Sequence, residues 1–106
     1  MKIRIRSCGR DLARPEVERI ERHLRFRVTR YEPYLRGIDV SLDAEAAGPG
    51  GSEASVLVRL RTRGLPEIAV EDGQPDVDLA LQRAVSRAVN GLRLELARRR
   101  QGMKAL

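Results

Sequence analysis

Arginine is the residue whose chemistry dominates this chain. Of 21 basic residues all but Lys2 and Lys104 are arginine, which leaves nineteen arginines in 106 positions. A guanidinium presents a planar fork of N–H donors that fits two oxygens of a phosphate, and it stacks on aromatic rings and bases. With a formal net charge of +6, the composition points to a polyanionic partner, nucleic acid first.

The spacing of these arginines matters as much as their number. Projected at a helical period, segment 15–31 places Arg19, Arg22, Phe26 and Arg30 opposite an apolar stripe, with Arg25 at its margin. In segment 75–100, Arg83 and Arg87 share an outer stripe that continues through Asn90 and Leu94 to Arg98. Arg93 and Arg100 lie on the adjoining flank, and Arg99 completes the basic run 98–100. An exposed Phe26 among arginines is suited to stack on a base. The candidate RNA-binding residues are therefore Arg19, Arg22, Arg25, Phe26, Arg30, Arg83, Arg87, Arg93, Arg98, Arg99 and Arg100.

Other chemistry is poorly supported. His23 is the single histidine and Cys8 the single cysteine, so no cysteine-based zinc site and no internal disulfide can be assembled. Ser7, Ser41, Ser52, Ser55 and Ser86 lack a nucleophile-elbow context. Gly48-Pro49-Gly50-Gly51 is no P-loop, because no Gly-Lys-Ser/Thr follows and no helix begins there. We expect no catalytic residue, no metal, no cofactor, no small-molecule substrate and no enzymatic activity. The run 1–8 alternates charge and aliphatic residue, and no stretch approaches membrane-spanning length, which predicts a soluble, cytoplasmic protein without a membrane partner.

The elements that must position the arginines follow from periodicity. Ile3 and Ile5 alternate with Lys2, Arg4 and Arg6, and Ile38, Val40 and Leu42 alternate with Asp39, Ser41 and Asp43. Val56, Val58 and Leu60 oppose Leu57, Arg59 and Arg61, and Ile68 and Val70 oppose Glu67, Ala69 and Glu71. Gly9 breaks the first run, 47–52 reads as a loop, and Gly64-Leu65-Pro66 as a short turn. Val17, Ile20, Leu24, Val28 and Tyr31 make one helical stripe, with Pro15 in its first turn; 77–96 supplies a second, broader one. One domain over 1–106 results, with 97–106 read as a basic, frayed tail.

The fold class is α+β, in the order β-α-β-β-β-α: a four-stranded mixed sheet with two helices packed on one face. On the uncovered face, basic and acidic strands alternate, so its arginines should be neutralised by Asp39, Asp43, Glu67 and Glu71 across the strands. That face is expected to be close to neutral, leaving the surplus charge to the helices.

Several pieces of text resemble the short ribosome hibernation factors, the family of hibernation promoting factor and ribosome-associated inhibitor A, also called sigma-54 modulation proteins. They are the Ile-Arg-Ile-Arg strand leading to Gly9-Arg10-Asp11-Leu12, and the helix text Glu21-Arg22-His23-Leu24-Arg25-Phe26. Further pieces are the strand Arg36-Gly37-Ile38-Asp39-Val40-Ser41-Leu42, the Gly48–Gly51 loop, and Ile68-Ala69-Val70-Glu71 before an Asp76-x-x-x-Ala80 helix start. The resemblance implies binding to the small ribosomal subunit and its RNA, and translation inhibition in resting or stressed cells by steric exclusion. By position it carries basic contact roles to Arg22, Arg25 and Arg87. Asn90 and Leu94 stand where such proteins usually carry Arg or Lys. Two rival expectations remain: a protein-interaction or self-assembly module that keeps the fold without the ribosome, or a general structured-RNA-binding domain. The oligomeric state expected is monomer or weak dimer.

Overall fold

The computed structural model describes residues 1–8, 11–48 and 51–104, with only the backbone path given for 44–48, 51–53 and 102–104. The breaks expected at Gly9 and at Pro49-Gly50 lie outside the described residues. The elements run β1 (Lys2–Cys8), α1 (Arg14–Val28), a 3-10 segment (Thr29–Tyr34), β2 (Leu35–Gly48), β3 (Gly51–Thr62), β4 (Ile68–Gln74) and α2 (Val77–Lys104). The sheet order is β1-β2-β3-β4, with β1 parallel to β2 and the other neighbours antiparallel. This is the expected β-α-β-β-β-α arrangement.

Alternation decides which strand face is buried. Ile38, Val40 and Leu42 of β2 and Val56, Val58 and Leu60 of β3 turn inward with almost no exposure. Ile20, Leu24 and Val28 of α1 and Ala80, Leu81, Ala84, Val85, Ala88 and Leu92 of α2 close over them. With no tryptophan and few other aromatics, aliphatic packing carries the core. Each fully buried leucine, valine or isoleucine contributes about 1.5–3 kcal/mol relative to exposure.

The element bounds differ from the sequence reading in four places. α1 stops at Val28, before Tyr31, and gives way to the tighter 3-10 segment that contains Pro33. A proline has no N–H to continue the α ladder and pushes the preceding residue out of α geometry. β2 and β3 extend to Gly48 and from Gly51, so 47, 48, 51 and 52 of the loop expected at 47–52 belong to strands. β4 continues past Glu71 to Gln74, bringing Asp72 into the sheet. α2 continues through Lys104 where a frayed tail was expected.

Two glycines are required by geometry. A Cβ on Gly37 would lie 2.6 Å from the Lys2 carbonyl oxygen and 2.3 Å from Arg61 Nη2, so a side chain there would displace β1 or Arg61. Gly64 has φ 74° in the turn joining β3 to β4, a conformation that a Cβ penalises.

Candidate nucleic-acid interface

β4 points the same way as β1, so both helices return along the sheet in the same direction and lie side by side in parallel. Two contacts register them, both over a sequence separation of 59: Arg19 Nη2 donates to Asp78 Oδ1 at 3.2 Å, and Arg27 Nη2 to Ser86 Oγ at 3.1 Å. α1 begins with Pro15 in its first turn and ends where the Thr29 hydroxyl donates to the Arg25 carbonyl at 2.6 Å. α2 begins at Asp76, whose Oδ1 accepts the Asp78 N–H at 3.0 Å.

This frame sorts the candidate arginines into two groups. The first has internal partners. Arg19 pairs with Asp78 at 3.2 Å, and Arg98 with Glu95 at 3.3 Å. Arg99 Nη1 donates to the Gly64 carbonyl at 3.1 Å, tying the far end of α2 to the β3–β4 turn. Arg83 Nε and Arg87 Nη1 both lie 3.4 Å from Asp72 Oδ2 on the edge strand β4, which places them on the flank of α2 turned away from α1.

Asp72 was missed in the sequence reading. It is buried, and its Oδ1 accepts from Gln74 Nε2 at 2.9 Å. The hydrogen bond from Gln74, helped by the two guanidiniums, holds its carboxyl below the ordinary range against the opposing effect of burial. A carboxylate at the inward position after Ile68 and Val70 was the available signal.

The second group is unpaired among the described side chains: Arg22 and Arg25 on α1, Arg30 in the 3-10 segment and Arg100 on α2. Arg93 uses Nε and Nη2 on Asn90 Oδ1, at 3.3 and 2.8 Å. Arg30, Arg93 and Arg100 converge on a cleft of about 350 Å³ between the 3-10 segment and the last turns of α2. Tyr31 and Tyr34, both tyrosines of the chain, form its aromatic lining. Phe26 is 81% exposed beside Arg27 and Arg30. His23 is half-buried on α1; burial, then Arg27 and Arg19, push its pKa below the ordinary value.

The open sheet face departs from the neutral surface expected. Asp39 stands in register between Arg4 and Arg59 yet makes its ion pair with Arg61, Oδ2 to Nε at 3.2 Å. Glu71 accepts from the Ser55 hydroxyl at 3.1 Å instead of pairing with arginine, and Glu67 lies outside β4. No side-chain partner among the described residues neutralises Arg4, Arg6 or Arg59. Among the described residues no three His, Cys, Asp or Glu side chains gather as metal ligands, and no helix is long and apolar enough to cross a membrane.

Two solved structures match this architecture closely. One is the N-terminal domain of Thermus thermophilus Protein Y, with TM-score 0.69 and 22% identity over 86% of this chain and 94% of that one. The other is a ribosomal subunit interface protein from Coxiella burnetii, with TM-score 0.74 and 15% identity over 92% of this chain and 99% of that one. The chain shares their fold. The fold that the local sequence resemblance implied is the fold observed. No protein-family model matches the chain, and no curated protein matches it by sequence.

Proposed function

We propose that this protein is a non-enzymatic, ribosome-associated factor that binds ribosomal RNA of the small subunit through its helical side and inhibits translation by occupying space. The observation that carries the reading is the unpaired arginine strip Arg22, Arg25 and Arg30, which reaches the cleft shared with Arg93 and Arg100. Guanidiniums without internal partners are free to form bidentate contacts with phosphate, and Phe26, Tyr31 and Tyr34 offer rings to unstacked bases. The fold shared with a ribosomal subunit interface protein supports the ribosome as the source of that RNA. Arg19, Arg83, Arg87 and Arg98 contribute less, because a phosphate must compete with the carboxylate each already holds. Arg99 contributes less because it is tied to the Gly64 carbonyl, whereas Arg93 holds only the neutral Asn90 amide, on its own helix.

The test is co-sedimentation with isolated small subunits at low salt. The unmodified protein is expected to pellet with the subunit, and R22A/R25A/R30A/R93A/R100A to remain in the supernatant. Unchanged pelleting of that variant overturns the helical contact. A protein-interaction or self-assembly role has its own support in three exposed apolar residues, Phe26, Leu79 and Leu94. Light scattering showing a dimer that F26S/L94S dissociates, together with no subunit binding, favours that second reading.

A further inference from the structure

The helix-free side of the sheet carries a hollow of about 320 Å³ formed by Arg4, Arg6, Asp39, Ser41, Leu57 and Arg59. Strand register builds it. Arg4, Asp39 and Arg59 form one row across β1, β2 and β3, and Arg6, Ser41 and Leu57 form the next. Adjacent strands lie about 4.8 Å apart and same-face residues about 6.8 Å apart along a strand, so the three arginine Cα atoms fall within roughly 12 Å. Long guanidinium arms rooted at that spacing can reach one small anion.

The charge balance of the hollow is incomplete. Asp39 is its single carboxylate, and its ion-pair contact is with Arg61, outside the rim. Asp39 Oδ1 and Arg61 Nε and Nη2 are buried without an aligned hydrogen bond, so this contact is one of charge alone. Arg6 faces Ser41, and Arg59 faces Ala69 on its other side, so neither gains a second carboxylate from its cross-strand neighbours. Like charges gathered around one hollow repel one another, and an anion among them removes that cost.

We propose that this hollow is a phosphate-binding site, made for a phosphodiester of a polynucleotide backbone, on the side of the molecule opposite the helices. Arg4, Arg6 and Arg59 supply the charged donors and the Ser41 hydroxyl a neutral one. Leu57 is half-buried in the lining and offers a sugar an apolar surface. A solvent-facing hollow on the sheet admits a backbone strand, and the same chemistry admits free phosphate. Together with the helical strip the site gives the protein two basic faces, able to hold two RNA segments at once.

The experiment monitors the arginine Nε–Hε signals of the unmodified protein by NMR, first with inorganic phosphate replacing chloride at constant ionic strength. The signals of Arg4, Arg6 and Arg59 and the Ser41 amide are expected to shift together, and the Tm to rise. R4Q/R6Q/R59Q is expected to lose the phosphate-dependent Tm rise while unfolding no earlier than the parent in chloride. Absence of shifts at these residues, or a Tm rise retained by the variant, overturns the site. A second arm adds a short single-stranded RNA to R22Q/R25Q/R30Q/R93Q/R100Q, which lacks the proposed helical contacts. Shifts at Arg4, Arg6 and Arg59 support the polynucleotide assignment independently of the helices. Shifts with phosphate alone, or with an acidic peptide but not RNA, overturn it.

Discussion

At the scale of single residues, arginine count is a poor guide to available charge; the partner each guanidinium finds decides. Asp72 shows this best. Its buried carboxylate engages Arg83 and Arg87, two arginines that from sequence alone belonged to the RNA-facing stripe. Because both guanidiniums are more than half exposed, the pairs themselves contribute little. The hydrogen bond from Gln74 to a buried charge contributes more, so Asp72→Ala is expected to cost about 1–3 kcal/mol in urea unfolding. The folded-state pKa of Asp72 is depressed. Its contribution is therefore present above the ordinary carboxylate pKa and is lost as pH falls through the lower, folded value. Asp72→Asn should accordingly flatten the fall in stability below about pH 4. An unchanged acid limb in the variant contradicts this account.

At the scale of elements, the two helices owe their placement to strand direction and their ends to local caps. α2 starts where Asp76 accepts the Asp78 N–H at 3.0 Å, directly after Pro75. Asp76→Ala removes that acceptor and should destabilise by about 0.5–2 kcal/mol, read as a lower urea midpoint at unchanged m-value. The first turn of α2 also holds Asp78 against Arg19. Loosening that turn frees Arg19, so the variant should retain or slightly gain affinity for small subunits. A stability loss accompanied by lost binding would place Asp76 in the interface instead.

At the scale of the whole molecule, the protein is a slab with extents 51 × 31 × 16 Å and cations on both broad sides. Binding to RNA should be steeply salt-dependent. Five phosphate contacts from Arg22, Arg25, Arg30, Arg93 and Arg100 give a slope of log K against log salt of about −3.5 to −4.5. Each arginine-to-alanine substitution in that set should reduce the magnitude of the slope by about 0.7–0.9, measured by fluorescence anisotropy across a salt series. The same substitution at Arg83 should change it less, because Asp72, shared with Arg87, offsets part of that charge. Equal slopes for Arg83→Ala and Arg30→Ala would erase the distinction between paired and unpaired arginines.

Hydrophobic periodicity alone determined the fold of this chain: period-two runs at Ile3–Ile5, Ile38–Leu42, Val56–Leu60 and Ile68–Val70, and helical stripes through Leu24 and Leu92, can bury their apolar sides in few ways. It also placed Phe26 outside the core, where it is 81% exposed. Local texture was less decisive at the boundaries, since glycines at 48 and 51 read as loop although strand pairing across a two-residue connection draws them into the sheet. Tertiary structure decided the charge. Side-chain reach, strand register and burial select partners over distances that periodicity does not encode, so Asp39 turns to Arg61 instead of its opposed neighbours, and Asp72 reaches across to α2. The sheet expected to be neutral thus keeps Arg4, Arg6 and Arg59 without a side-chain partner among the described residues, while helices expected to hold the surplus spend much of it internally.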